Sequence, residues 1–222
     1  MKTYLDKNVY EAALERIAYC FQEFDNVLVA FSGGKDSGVL LNLCYNYADE
    51  HGLLDKLTMY HLDYEAQYQM TTEYVTRTFL EQFPGIRKMW YCVPIKAQSA
   101  CALGEPYWTP WDAAKKKLWV RAMPENPYVV HEGNLDVPFR HGMVDYEFQD
   151  KLSRHFAKKR GTTAVMVGLR ADESLNRYAA VARGKKRRSY EGRKWITQTS
   201  AVTANVYPLY DWRVSDIWTA TA

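Results

Sequence analysis

Apolar residues recur along this chain in two periods, and the switches between them mark its elements. Ala13, Ile17, Cys20, Phe21 and Phe24 repeat at helical intervals behind Asn8-Val9-Tyr10-Glu11, which has capping-box spacing, so a first amphipathic helix is predicted. Asn26-Val27-Leu28-Val29-Ala30-Phe31 is short, almost wholly apolar and partly β-branched, the pattern of a strand buried on both faces. It runs into Ser32-Gly33-Gly34-Lys35-Asp36-Ser37, after which Val39, Leu40, Leu43, Cys44 and Tyr47 restore a helical period up to Gly52. Lys56 to Leu62 predicts a second strand, Gln67 to Gln82 a helix ended by Pro84-Gly85, and Arg87 to Val93 a third strand. Val144, Phe148, Leu152 and Phe156 repeat every four residues on one helix face, and Thr163-Ala164-Val165-Met166-Val167 forms a fourth strand.

Strands alternating with helices predict an α/β fold, a doubly wound and mainly parallel sheet of five strands. Two stretches break the pattern. Residues 96 to 142, rich in proline and tryptophan and without a clear period, are too long for an ordinary connection and read as an insertion that covers or shapes a site. Arg183 to Lys194 carries seven basic residues and two glycines and reads as a mobile basic loop, with substrate phosphates or a nucleic-acid backbone as its possible contacts.

Composition narrows the picture only a little. Apolar residues make up 47% of the 222, enough for one large core. The 29 Lys+Arg against 26 Asp+Glu leave a formal charge of +3, so global charge argues for neither nucleic acid nor membrane as a partner. Cys20, Cys44, Cys92 and Cys101 include no C-x-x-C pair and no metal-ligand spacing, and they read as reduced, mostly buried thiols. His131, His141 and His155 have no metal spacing either, and Trp108, Trp111 and Trp119 read as a small apolar cluster. No apolar run approaches the ~18 residues of a spanning helix and no apolar leader opens the chain, so a cytoplasmic location is expected.

The candidate chemistry centres on Ser32 to Ser37. A loop that leaves a buried strand and enters a helix can aim successive amides at one point, where the positive helix end also lies, and polyphosphate fits there. Gly33 and Gly34 permit close approach, Ser32 and Ser37 offer hydroxyls, Lys35 can neutralise phosphate charge, and Asp36 can position Mg²⁺ or stabilise the loop. The plainer reading of a Gly-Gly pair is a helix-capping turn. The hexapeptide lacks the spacings of a P-loop NTPase and of a dinucleotide site.

Ser-Gly-Gly-Lys-Asp-Ser instead resembles the PP-loop of the N-type ATP pyrophosphatases, the adenine nucleotide α-hydrolase-like proteins. Gly168-Leu169-Arg170-Ala171-Asp172-Glu173-Ser174, with Arg177 three residues on, resembles the second signature of the phosphoadenosine phosphosulfate (PAPS) reductase branch. Pro208-Leu209-Tyr210-Asp211-Trp212 and Asp216-Ile217-Trp218 are similar to the segment that branch carries after its last core strand. This resemblance implies a Rossmann-like, single PP-loop domain over residues 1 to 222, continuing in a longer natural protein, with both motifs facing one crevice at the reversal of strand order. It implies Lys35, Asp36 and Arg170 as catalytic residues. Ala30, Phe31, Ser32, Gly33, Gly34, Lys35, Asp36, Ser37, Asp63, Gly168, Arg170 and Arg177 are the implied nucleotide and phosphate contacts. Adenine is expected at the main chain of Ala30 and Phe31, the ribose or a metal at Asp63, and Mg²⁺ at Asp36, with no iron–sulfur cluster or zinc.

For the arginines the competing reading is ion pairing with Asp172 and Glu173, and for Asp63 an ordinary turn. The branch's reductases carry a C-terminal Glu-Cys-Gly-x-His motif that is missing here. The implied activity is therefore ATP cleavage between the α and β phosphates with adenylyl or sulfur transfer, in sulfur or nucleic-acid metabolism. Reduction of PAPS to sulfite with a thiol supplied from elsewhere, and a nucleotide-binding regulatory module without turnover, stay open beside it. The opening Tyr4-Leu5-Asp6-Lys7-Asn8-Val9-Tyr10-Glu11-Ala12-Ala13 and the insertion are similar to PAPS reductase-like proteins encoded beside ParB/sulfiredoxin-like partners, which implies such a protein partner.

Overall fold

The structure, a computed structural model, describes residues 6–99, 104–182 and 189–221. In chain order it holds α1 (Val9–Glu23), β1 (Asn26–Ala30), α2 (Lys35–Glu50), β2 (Leu57–Leu62), α3 (Gln69–Glu81), β3 (Arg87–Cys92), β4 (Ala97–Gln98), β5 (Tyr107–Trp108), β6 (Val129–His131), α4 (Asp145–Arg160), β7 (Thr163–Val167), α5 (Leu175–Ala182), β8 (Ser189–Tyr190), β9 (Arg193–Gln198), β10 (Thr203–Val206) and α6 (Val214–Thr221). The capping box of α1 forms with both of its bonds, Glu11 N–H to Asn8 and Asn8 N–H to Glu11.

One sheet runs in the order β6-β3-β2-β1-β7-β10-β9-β8. The first six of these strands are parallel, β9 turns back against β10, and β8 turns back against β9. From β1 the chain winds outward through β2, β3 and β6, then returns to lay β7 on the other side of β1, with Ala30 beside Val167. This is the expected doubly wound architecture, with eight strands in place of five. The three additions escape a periodicity reading for identifiable reasons. β6 is three residues inside the proline-rich insertion, and β8 and β9 sit in a polar, basic stretch where neither face is wholly apolar.

The basic stretch therefore divides. Residues 183–188 lie outside the described residues, whereas 189–194 form a hairpin and not the expected loop. That hairpin is fastened to α1: the Tyr190 hydroxyl donates to Glu23 at 2.7 Å, and the Arg193 guanidinium lies 4.0 Å over the Tyr19 ring.

The alternation of side chains along β1 explains the layers. Val27, Val29 and Phe31 enter the larger core with residues of α1, α2, α3 and α6, while Leu28 packs on the opposite face with Phe148 and Leu152 of α4. Burying such side chains on both faces stabilises by about 1.5–3 kcal/mol each, which is why β1 can carry a polar loop at its end without losing its place. No described helix is long and apolar enough to cross a membrane.

Candidate functional site at the reversal of strand order

Strand order reverses between β1 and β7, and both strands end there in the two motifs. The Ser32–Ser37 loop is held by its own polar atoms. Ser32 N–H donates to Ser37 Oγ at 3.1 Å, the two serine hydroxyls meet at 2.9 Å, Ser37 Oγ donates to the Gly34 carbonyl at 2.9 Å, and Gly34 N–H reaches Ser32 Oγ at 3.3 Å. α2 begins at Gly34 without a side-chain cap, so its first amides point into the loop with the positive end of the helix.

The glycines are not equivalent. Gly33 has φ +81°, and a Cβ there would come within 2.7 Å of Val75 Cγ2. Gly34 has φ −86°, and its nearest neighbour to such a Cβ, Ser32 Oγ, is at an ordinary 3.4 Å, so conformation alone does not demand glycine at that position. In the second motif the obstacle is backbone, which cannot rotate away. A Cβ on Gly168 would stand 2.9 Å from both the Asp36 carbonyl carbon and the Ser37 nitrogen. The end of β7 is thus in direct contact with the start of α2, and the two motifs form one surface.

Arg170, 4% exposed, follows immediately. Its Nε lies 3.3 Å from Asp36 Oδ1, and its terminal nitrogens face Asp172 and, at 3.8 Å, Glu173. Neither Arg170 Nε nor Asp36 Oδ1 completes a hydrogen bond, although both atoms are buried. Lys35 Nζ stands 3.4 Å from Asp36 Oδ2. Arg177, on α5 and about half exposed, pairs with Glu173 at 3.5 Å. The ion pairs expected as the competing reading of these arginines are therefore present, and Arg170 in addition links the second motif to Asp36. Ala171 N–H donates to the Tyr210 carbonyl at 2.8 Å, which ties this motif to the Pro208–Trp212 segment. Asp211 in turn holds the buried Arg16 by two bonds of 2.7 and 2.8 Å.

Two expected contacts meet a different arrangement. Asp63 is wholly buried: its Oδ2 accepts from Trp90 Nε1 at 2.7 Å, and its Oδ1 accepts from Glu65 N–H at 2.8 Å and Arg121 at 2.5 Å. A carboxylate so engaged has little acceptor capacity left for a ribose or a metal. Likewise the main chain of Phe31 is engaged at both groups, its N–H by the Tyr60 carbonyl and its carbonyl by His61 Nδ1, each at 2.8 Å, which leaves the second lone pair of that carbonyl for adenine.

Of the groups that occupy the Asp63 carboxylate, Trp90 belongs to β3 and Glu65 follows β2, whereas Arg121 comes from the insertion, and sequence reasoning missed this set. Glu65 is also buried and accepts from Trp111 N–H at 2.8 Å and Val120 N–H at 2.9 Å, while Trp111 Nε1 donates to the Asp63 carbonyl at 2.9 Å. Trp111 and Trp119 meet edge to face at 5.1 Å, and Trp111 belongs to the main core, whereas Trp108 sits apart in the β4–β5 hairpin. The only advance signal was two acidic residues, Asp63 and Glu65, straight after an apolar strand. Cys20, Cys44 and Cys92 are buried free thiols, and burial pushes each thiol up from its ordinary range. Cys101 lies outside the described residues.

A model of the phosphoadenosine phosphosulfate reductase domain matches residues 26–221. A curated protein of Escherichia coli (strain K12), Uncharacterized protein YbdN, is 34% identical over 218 residues. That match covers 97% of this chain and 52% of YbdN, so the chain spans about half the length of this relative. Among solved structures, the phosphoadenylyl-sulfate (PAPS) reductase of Candida auris in its phosphate complex aligns with a TM-score of 0.47 at 13% identity, covering 99% of this chain and 86% of that one. The NH3-dependent NAD synthetase of Campylobacter jejuni subsp. jejuni NCTC 11168, in complex with the nitrate ion, gives 0.45 at 9% identity over 97% and 72%. The U34-tRNA thiolase NcsA of Methanococcus maripaludis with its 4Fe-4S cluster gives 0.46 at 13% identity over 99% and 65%.

Proposed function

The chain belongs to the phosphoadenosine phosphosulfate reductase family, and from that premise we propose that it binds ATP in the crevice between Ser32–Ser37 and Gly168–Arg170 and cleaves it between the α and β phosphates. The observation that carries this reading is the contact of Gly168 with the backbone of Asp36 and Ser37. It joins the amide-rich start of α2 to a buried arginine, two devices suited to anionic oxygens that arise from motifs more than a hundred residues apart.

The residues then divide the work. The amides of the loop and the Ser32 and Ser37 hydroxyls cradle the pyrophosphate portion, Lys35 neutralises its charge, and Arg170 leaves Asp172 to hold two phosphate oxygens by two parallel bonds. A nucleophilic oxygen or sulfur of the acceptor attacks the α-phosphorus. Its bond to the bridging oxygen breaks, and pyrophosphate departs with the electron pair. Mg²⁺ fits this donor set, because Asp36 Oδ1 is buried without a hydrogen bond, although Arg170 Nε stands 3.3 Å from it, and such ions are held by one or two carboxylates plus substrate oxygens. Asp36 is the residue that would hold it, and it would supply further charge neutralisation on the leaving group.

The described cysteines argue against reduction by a thiol of their own, and the alternative with a thiol supplied from elsewhere is decided by the ligand preference. A thiol that attacks sulfur must be accessible and ionised, and Cys20, Cys44 and Cys92 are neither. The test is a binding comparison of ATP, AMP, adenosine phosphosulfate and PAPS, with pyrophosphate release from ATP and Mg²⁺ measured alongside. The expected outcome is tightest binding of ATP, with release abolished and affinity lowered at least tenfold in Lys35→Ala. A preference for PAPS, or equal binding by a Lys35→Ala, Arg170→Ala double variant, would overturn the reading.

A further inference from the structure

We infer that His61 is a positioning residue of the phosphate loop: its Nδ1–H holds the Phe31 carbonyl and thereby sets the direction of the first loop amide, Ser32 N–H. The inference rests on the nucleotide-binding reading above and deepens it.

Phe31 is the last residue before the loop, and β2 grips it twice. The Tyr60 carbonyl accepts the Phe31 N–H and, one residue on, His61 Nδ1 lies 2.8 Å from the Phe31 oxygen. A carbonyl can only accept, so Nδ1 carries the proton, which assigns the tautomer. The Phe31 carbonyl and the Ser32 N–H belong to one planar peptide unit and point in opposite directions. Fixing the oxygen therefore aims the amide, and that amide donates to Ser37 Oγ at 3.1 Å. Ser37 Oγ then reaches both Ser32 Oγ and the Gly34 carbonyl at 2.9 Å. One imidazole on the neighbouring strand thus stands at the head of the chain of bonds that shapes the cradle.

The surroundings allow His61 no other posture. Its ring is 1% exposed and meets Trp90 edge to face at 5.5 Å, with Phe79 at 6.4 Å and the Phe31 ring at 6.3 Å. Nε2 completes no hydrogen bond. Burial lowers its pKa, Arg121 acts in the same direction, and Asp63, the Phe31 carbonyl and the Gln67 side chain oppose them. A histidine in a wholly buried central strand costs stability unless its polar edge has a task, and its bonded nitrogen faces the start of the loop.

Three variants separate positioning from packing. His61→Phe keeps the bulk and removes the donor, His61→Asn places an amide N–H close to the Nδ1 position, and His61→Gln places it near Nε2. Affinities for ATP and for inorganic pyrophosphate are measured by calorimetry, and melting temperatures alongside. The expected result is a loss of about tenfold or more for both ligands in His61→Phe and His61→Gln, the worth of one hydrogen bond, with His61→Asn within about threefold of the natural protein. Unchanged affinity in a folded His61→Phe, or equal losses in the Asn and Phe variants, would overturn the inference. Should the Phe variant not fold, ¹⁵N resonances of the unaltered protein decide: protonated Nδ1 with free Nε2 supports the assignment, and the opposite tautomer sinks it. Failure of the unaltered protein to bind either ligand would instead refute the nucleotide-binding reading, with the tautomer still measurable.

Discussion

Gly168→Ala tests the contact on which the site depends. The added Cβ would lie 2.9 Å from the Asp36 carbonyl carbon, 2.9 Å from Ser37 N and 3.0 Å from the Asp36 oxygen. All three are backbone atoms in the first turn of α2, so no rotamer change relieves the overlap. Restoring ordinary separations of about 3.5–4.0 Å requires β7 and α2 to move apart by roughly 0.6–1 Å. Overpacking of this kind costs about 1–3 kcal/mol, and at about 2–4 °C per kcal/mol in a chain of this size the melting temperature should fall by about 2–12 °C. The displacement also separates Arg170 from the loop amides. Losing one charge-assisted hydrogen bond of about 1.5–3 kcal/mol to the ligand should weaken ATP by at least about tenfold. Thermal unfolding with and without ATP, together with calorimetric titration, reads both effects. Gly34→Ala is the comparison for stability, since its Cβ would meet only Ser32 Oγ at 3.4 Å, and its melting temperature should stay within about 2 °C of the original. A Gly168→Ala protein with unaltered melting temperature and ATP affinity would refute the argument.

Other outcomes follow from the same geometry. Asp63→Asn puts an amide donor among the N–H groups of Trp90, Glu65 and Arg121, and it should lower stability in denaturant titration by about 2–4 kcal/mol; Arg121→Ala combined with it should add much less than its single effect, because both remove one interaction. His61 binds its proton less readily when folded than its ordinary 6.5. The unfolded chain therefore takes up more protons as pH falls through that value, so stability contributed by neutral His61 is present above about pH 6.5 and lost below it. Melting temperature should drop between pH 7 and pH 5 more steeply in the unaltered protein than in His61→Phe. Under native conditions a maleimide should leave Cys20, Cys44 and Cys92 unmodified by mass spectrometry, and reaction should follow addition of denaturant.

Much of this was legible in the chain. β7 spans the expected Thr163–Val167, α1 starts at its predicted capping box, and the Ser32–Ser37 hexapeptide leads from a buried strand into a helix, its last three residues forming the first turn of α2. These are local properties: a period of two or 3.6, a capping residue, a contiguous motif, each encoded within a few positions. The edge strands β6 and β8, and β9 beside β8, were not legible, since pairing with a neighbour holds them and no apolar pattern of their own does.

The sequence by itself determined that a glycine-rich polar loop follows a buried strand and that an arginine-bearing segment follows another. Only the tertiary structure decided that these strands are adjacent, that Gly168 touches the backbone of Ser37, that Gly33 needs its freedom more than Gly34, and that Asp63 is spent on Trp90, Glu65 and Arg121. The physical reason is one of range. An amide, a carboxylate or a missing Cβ acquires its role from what stands within about 4 Å of it, and around this crevice that neighbour comes from another strand, another helix or the insertion. The loop Ser32–Ser37 could be recognised from its letters, whereas the neighbours that shape it could not.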